Sequence, residues 1–443
     1  MKVSFYGGAR EVTGACYLFE TRKTKLLIDC GLFQGSHELS DTNFGPFSFS
    51  AKDIDAVLVT HAHIDHIGRI PKLVREGFRG SIFSTPATRD LARLLLEDAL
   101  HLAERNREAL YTKEDLEQAL SLWQDVPYGT RRTVGDVDFE LANAGHILGS
   151  SMIVLYAEGK KILHTGDLGN DPSVLLPPPQ HFSDIEYLFI ESTYGNIAHE
   201  ATEERTLKLE RAVEDVVSRG GTLMIPAFAA ERTQDILHLL NEMLLFKRIP
   251  DVPVFVDSPL AIRITEVYEQ YPEAYRPEIR ELFGKHRHLF RSKKLHFTET
   301  AEQSKAINEV AGPKIIIAGS GMLQGGRILH HLRRYLPDER SMLLVVGFQA
   351  AGSLGRRLIE GADRVRILNE EVPVRAELRK INGFSAHADY PQLFKFAASS
   401  RDTLKRVFAI QGEEMQAIYL VQHIRDRLGL VAEAPEQDAV AVF

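Results

Sequence analysis

The first 190 or so residues alternate short apolar runs with polar or glycine-rich turns. KLLIDCGLF, DAVLVTHAH, SIFSTP, KKILHTGDLG and EYLFIESTYG are strand-sized, and each ends in a turn. Between them, IPKLVREGF, RDLARLLLEDALHLAERN and KEDLEQALSLW carry apolar residues at helical spacing, the last with charges on a solvent-facing side. Beyond Gly195 the texture changes. EERTLKLERAVEDVVSRGG, TLMIPAFA, ERTQDILHLLNEMLLF, PVFVDSP, a charged helical stretch to about 293, KIIIAGSG, ILHHLRRYL and SMLLVVGFQ alternate helix and strand. That order predicts a parallel-rich α/β sheet with working loops at the strand carboxyl ends. From Lys380 the first style returns in INGFSAHADY, a helix, VFAIQGEE and a final helix. The charged, proline-containing tail at 431–438 reads as a surface loop.

Composition narrows the class. A chain of 443 residues suggests two or three domains, and 44% hydrophobic with 26% charged residues excludes disorder as the main state. No run approaches the ~18 apolar residues of a membrane span. Met1 leads at once into KVSFYGGAREV, which leaves no room for the apolar centre of a signal peptide. Cys16 and Cys30 make neither a disulfide framework nor a CxxC pair, so a cytoplasmic protein is expected, with no membrane partner. A net charge of -8 excludes a basic nucleic-acid coat. It is compatible with a nuclease that holds phosphates in a local positive groove or through bound cations.

The chemistry concentrates in THAHIDH, Thr60 to His66. His61 and His63 stand two apart at the end of a strand, so both side chains leave the same way, and Asp65 and His66 follow in the turn into a helix near Ile70. Three histidines and a carboxylate at one strand end make a nitrogen- and oxygen-rich divalent-metal site. Asp29, His146, Asp167 and Glu191 also sit at the ends of apolar strands. Each alone is an ordinary turn residue. With THAHIDH they become candidates for the third histidine and the bridging carboxylate of a closed ligand set.

Asp29, HAHIDH, His146 and Asp167 resemble, in order, the metal-site motifs of the metallo-β-lactamase fold. ESTYG, PAFAAERTQDIL, AGSGMLQGGR, GFQAAGSLGRRL and FSAHAD resemble its β-CASP branch, which includes RNase J, other bacterial and archaeal RNases and the nuclease of pre-mRNA cleavage and polyadenylation. The resemblance implies an α/β fold, a metallo-β-lactamase αββα sandwich (1–195, completed by 378–443) with an inserted β-CASP domain (196–377). It implies a zinc-dependent ribonuclease acting on single-stranded RNA through a metal-bridged hydroxide. By it, His61, His63 and His146 hold one Zn²⁺, Asp65 and His66 hold a second, Asp167 bridges the two, and Asp29 orients a ligand or the metal-bound water. His387 resembles the general acid and Glu191 its carboxylate partner.

The departure is Gln411, which stands in FAIQGEE where RNA-cutting relatives have a histidine ligand of the second zinc and DNA-processing relatives an apolar residue. A Gln carbonyl is a much poorer zinc ligand than an imidazole. Ser320 and Gly321, in a glycine-rich strand-to-helix turn, Arg327 after it, and Ser385 beside His387 are the candidate phosphate contacts. Two other functional classes fit the same residues: a catalytically degenerate RNA-binding protein, and a hydrolase of small esters or DNA. No residue pattern specifies an oligomeric state, a homodimer included.

Overall fold

The structure, a computed structural model, describes every residue except 36, 287–288, 348 and 350–352. Phe348 and Ala350 to Gly352 of the GFQAAGSLGRRL segment therefore lie outside the described residues. Contacts divide the chain into two units, Met1–Ala198 with His387–Phe443, and His199–Ala386.

The first unit holds two seven-stranded sheets. One runs Val440–Val442, Lys2–Phe5, Tyr17–Glu20, Lys25–Ile28, Ala56–Leu58, Ser81–Ser84, Trp123–Asp125. The other runs Ala432–Glu433, Arg406–Ile410, Tyr187–Glu191, Lys160–His164, Ser151–Ala157, Val137–Asn143, Arg132–Val134. Strands alternate their side chains between faces, so each sheet can bury one face against the other. Phe5, Phe19, Ile28, Phe139, Ile153, Phe189 and Phe408 fill that layer, with the Phe189 and Phe408 rings stacked 4.4 Å apart. The opposite face of the second sheet, through Val154, Leu163, Leu188 and Val407, packs on helices Tyr390–Ala398 and Glu414–Leu428. Helices Pro86–Asn106 and Lys113–Ser121 pack together, and the longer one meets the Trp123–Asp125 edge strand. This is the expected αββα order.

Within each sheet, four neighbouring strands are parallel: 25–28, 56–58, 81–84 and 123–125 in one, 160–164, 187–191, 406–410 and 432–433 in the other. Their carboxyl ends therefore fall on one side of each sheet. Residues 28, 58 and 83 pair in register, as do Glu191 and Ile410. Asp29, Thr60, Asp167, Glu191 and Gln411 all lie just at or past these ends.

Two expectations are corrected here. The tail is not only loop: Ala432–Glu433 pairs in parallel with Val407–Phe408, because its small buried alanine fits the sheet edge. Glu377–Lys380 belongs to the second unit, because it pairs in parallel with Met342–Val345. By contacts the chain passes back to the first unit at 386/387, where the resemblance implied 377/378.

The second unit is built on an all-parallel six-stranded sheet: Leu295–Phe297, Val254–Val256, Lys314–Ala318, Thr222–Pro226, Met342–Val345, Glu377–Lys380. Its polar hub is Asp257, just past Val254–Val256 and fully buried. The carboxylate accepts from Thr298 Oγ1 (2.7 Å), Ser304 Oγ (2.6 Å), Arg327 (2.8 Å) and His331 Nε2 (2.7 Å). Burial works against the charge, but these donors overcome it and hold the carboxyl well below the usual range. A depressed pKa stabilises the fold fully above the unfolded Asp value near ~4, and that contribution is lost as pH falls through the folded value. Asp257→Asn is therefore expected to cost about 2–3 kcal/mol at neutral pH, with the deficit shrinking in acid. Thermal melts of both proteins from pH 7 to pH 3 check this. An unchanged melting temperature at pH 7 contradicts it.

Candidate metal centre

Among the described residues, two groups of metal-binding side chains close within 4.8 Å: His61, His63, His146 and Asp167, and Asp167, Glu191 and His387. All belong to the first unit.

His61 and His63 leave the Ala56–Leu58 strand end as the chain enters a short helix, Ile64–Ile67, which carries Asp65 and His66. His146 comes from the connection between Val137–Asn143 and Ser151–Ala157, held by Ser150 Oγ, which accepts from the His146 N–H at 3.0 Å. Asp167 follows Lys160–His164. His61 Nε2 lies 3.0 Å from His63 Nδ1, and His63 Nδ1 lies 3.2 Å from His146 Nε2. Asp167 Oδ2 lies 3.4 Å from His61 Nε2 and 3.6 Å from His146 Nε2. Four donors bound to one tetrahedral ion at ~2.05 Å stand about 3.3 Å apart, so these spacings are the edges of such a polyhedron. Burial pushes the His61 and His146 pKa values well below normal, which leaves neutral imidazoles with a free lone pair. Burial opposes the charge on Asp167, yet the surrounding His66 and His61 hold its carboxyl well below the usual range. Buried Asp167 Oδ1 has no hydrogen-bond partner. Converging nitrogen lone pairs and an unsatisfied carboxylate oxygen suit a cation, so the residues fit a metal ion.

Asp29 is fully buried, at a left-handed φ of 58°. It accepts from the Thr60 N–H (2.8 Å), Thr60 Oγ1 (2.7 Å) and His66 Nδ1 (2.8 Å). It thus fixes the His66 ring with Nε2 facing Asp167 Oδ2 at 3.4 Å and Asp65 Oδ2 at 3.7 Å. Burial disfavours charge on His66, but Asp167, Asp29 and Asp65 raise its pKa well above normal. Thr60 is the support that the spacing argument passed over, although it stands inside THAHIDH.

Glu191, fully buried, ends its strand and accepts the Leu168 N–H at 2.6 Å. His387 is brought to it by an antiparallel bridge to Gly169 and by the Ala388 N–H donating to the Leu168 carbonyl (2.7 Å). His387 Nδ1 lies 3.1 Å from both Glu191 oxygens and 3.9 Å from Asp167 Oδ2. Burial lowers the His387 pKa, but the charges of Glu191 and Asp167 more than offset it and push the ring up to about 9.

Gln411 is buried at φ 48°. Its Oε1 accepts from Tyr17 Oη (3.0 Å), and its Nε2 donates to the Val12 carbonyl (2.6 Å) and stands 3.1 Å from His66 Nε2. As a ligand Gln411 would have to offer its carbonyl, but the nitrogen is what faces His66. Tyr17 and Val12 carry no sequence signal for this role.

The phosphate-contact expectations fare differently. Arg327 is taken up by Asp257 and by the carbonyls of Thr298 (2.9 Å) and Glu299 (2.6 Å), so its guanidinium works as a structural tie within the second unit. Ser320 and Gly321 do lie in a tight strand-to-helix loop. There Ser320 Oγ accepts the Gln324 N–H (3.1 Å), and the Gly321 carbonyl accepts from Gln349 Nε2 (2.9 Å). Ser385 is half-buried at the end of a short turn, Asn382–Phe384.

Two facing sheets carrying a three-histidine, one-aspartate cluster at their strand ends define a metallo-hydrolase fold. The metallo-beta-lactamase superfamily pattern matches residues 9–221, the Beta-Casp domain 233–358, and a Zn-dependent metallo-hydrolase RNA specificity domain 371–435. The chain belongs to the β-CASP branch of the metallo-β-lactamase superfamily. It is 39% identical over 420 residues to a ribonuclease from Thermus thermophilus, covering 95% of each chain. It is 33% identical over 442 residues to an RNase J-like protein from Methanocaldococcus jannaschii, covering 99% of each. A crystal structure of a protein of unknown function from Enterococcus faecalis shares the fold, with a TM-score of 0.58 at 12% identity over 100% of this chain and 99% of that one. Among the described residues, no helix is long and apolar enough to cross a membrane.

Proposed function

We propose that this protein is a zinc-dependent ribonuclease that hydrolyses phosphodiester bonds of single-stranded RNA, leaving 5′-phosphate and 3′-hydroxyl ends. The observation that carries the reading is the tetrahedral spacing of His61, His63, His146 and Asp167 beside the Glu191–His387 pair, in a chain similar over nearly its whole length to a ribonuclease and to an RNase J-like protein. Those four residues would hold Zn²⁺, whose nitrogen-rich ligand preference they match. The ion would supply Lewis-acid activation of water and of the phosphoryl oxygen. Asp65 and His66 stand beside this cluster, and Asp29 fixes the His66 ring through its Nδ1–H. His387, kept protonated by Glu191 on Nδ1, gives the Nε2 proton to the departing 3′ oxygen. The Ser320–Gly321 loop and Ser385 are candidates for phosphate contacts.

The test is cleavage of matched end-labelled single-stranded RNA and DNA, beside a chromogenic ester and a β-lactam. RNA is expected to be cut at least ~100-fold faster than either small substrate, since binding along a polymer adds transition-state stabilisation that a small ester cannot use. Turnover of the ester with intact RNA contradicts the reading. RNA retention with no cleavage under any metal selects a binding protein instead.

A further inference from the structure

The donors around His66 differ in kind from those around His63. A second cation beside His66 would draw on His66 Nε2, Asp65 and Asp167, and would need residue 411 to complete it. We propose that this chain binds one metal ion, at His61, His63, His146 and Asp167, and that the side-chain amide N–H of Gln411 closes the second position. This deepens the metal-dependent reading above and rests on it.

Hydrogen-bond polarity sets which end of the amide faces His66. The Val12 carbonyl can only accept, so the atom 2.6 Å from it must be the amide nitrogen of Gln411. The Oε1 end faces Tyr17 Oη at 3.0 Å, whose one proton is shared between it and the Gly8 carbonyl at 2.9 Å. The nitrogen facing His66 Nε2 at 3.1 Å therefore presents hydrogen, and an amide nitrogen has no lone pair to offer a cation. Turning the amide over would set two carbonyl oxygens against each other at Val12. The backbone is equally held: the Gln411 N–H donates to the Gly8 carbonyl (2.7 Å), and its carbonyl accepts from Thr193 Oγ1 (2.9 Å). The oxygen end is closely packed against the Gly8 backbone, since a Cβ on Gly8 would sit 2.2 Å from Gln411 Oε1. A cation at this position thus meets a fixed donor where it needs an acceptor, and keeps only three ligands.

The experiment is metal content by mass spectrometry after equilibration with excess Zn²⁺ and removal of free ion. Wild type is expected to hold about one ion per chain and Gln411→His about two, the imidazole restoring a fourth ligand. His66→Ala is expected to keep about one ion and His146→Ala close to none, because only the second removes a ligand of the occupied position. Cobalt-loaded wild type should give the paramagnetic-resonance spectrum of an isolated ion, and Gln411→His that of a coupled pair. Two ions of similar affinity in wild type, resolved by titration against a chromophoric chelator, overturn the proposal. So does loss of the ion in His66→Ala. The titration needs no variant, so it decides the matter even if Gln411→His misfolds. RNA cleavage on the same samples is scored separately. One ion without cleavage removes the ribonuclease reading and leaves this one, and two ions with cleavage does the reverse.

Discussion

His63→Ala is expected to lower RNA cleavage roughly 10⁴-fold or more, about 5.4 kcal/mol of transition-state stabilisation, and to strip the protein of metal. The size follows from the position of the ring. His63 Nδ1 stands 3.0 Å from His61 Nε2 and 3.2 Å from His146 Nε2, so it shares an edge with both other nitrogens of the cluster. Its loss leaves two imidazoles and one carboxylate for an ion that prefers four ligands. The ring is half-buried at the start of a short helix, so its removal should leave the fold intact. Asp29→Asn makes the contrast. That side chain reaches the site only through Thr60 and His66, and a loss of about 10–100-fold is expected. Equal losses from the two variants, or a metal-loaded and active His63→Ala protein, would refute the assignment.

His387→Ala is expected to reduce turnover about 10²–10⁴-fold while metal content stays at the wild-type level. The more discriminating variant is Glu191→Gln. Metal-free His387 is pushed up to about 9, and activity should fall as pH rises through the lower value that the ring takes in the loaded protein. Without the Glu191 charge, burial dominates and the ring pKa drops. The alkaline limb of the pH–rate profile should then move down by about 1–3 units. A cation on the neighbouring donors lowers the His387 pKa in both proteins, so the difference between them survives metal binding. An unmoved alkaline limb would show that the acid is another group. A structural role alone would change the rate at every pH together.

The legible part of this protein was local. His61 and His63 share a strand end, so spacing alone aims both rings the same way. Strand-then-helix alternation across 202–345 announced a parallel sheet, whereas the αββα frame was implied by the resemblance of the motifs to the metallo-β-lactamase fold. The hairpin Val137–Asn143 with Ser151–Ala157 was not among the runs singled out. Its first strand mixes buried and half-buried positions with charges at Asp138 and Glu140, so its pattern is weaker than that of a fully buried strand. The tail strand Ala432–Glu433 is two residues long and exists only because Val407–Phe408 offers it a partner.

Side-chain polarity belongs to the tertiary structure. The class of fold, the candidate metal cluster and the exceptional residue at 411 were all legible before folding, through the motifs and the family they resemble. The sequence also placed an arginine after a glycine-rich turn, but only folding showed that guanidinium spent on Asp257 and two carbonyls. Likewise, a glutamine carries a donor and an acceptor on one planar group, and nothing in its own neighbourhood says which end faces a metal position. That choice is made by Val12 and Tyr17, some 400 positions earlier in the chain, because a carbonyl can only accept and the amide must turn its nitrogen toward it.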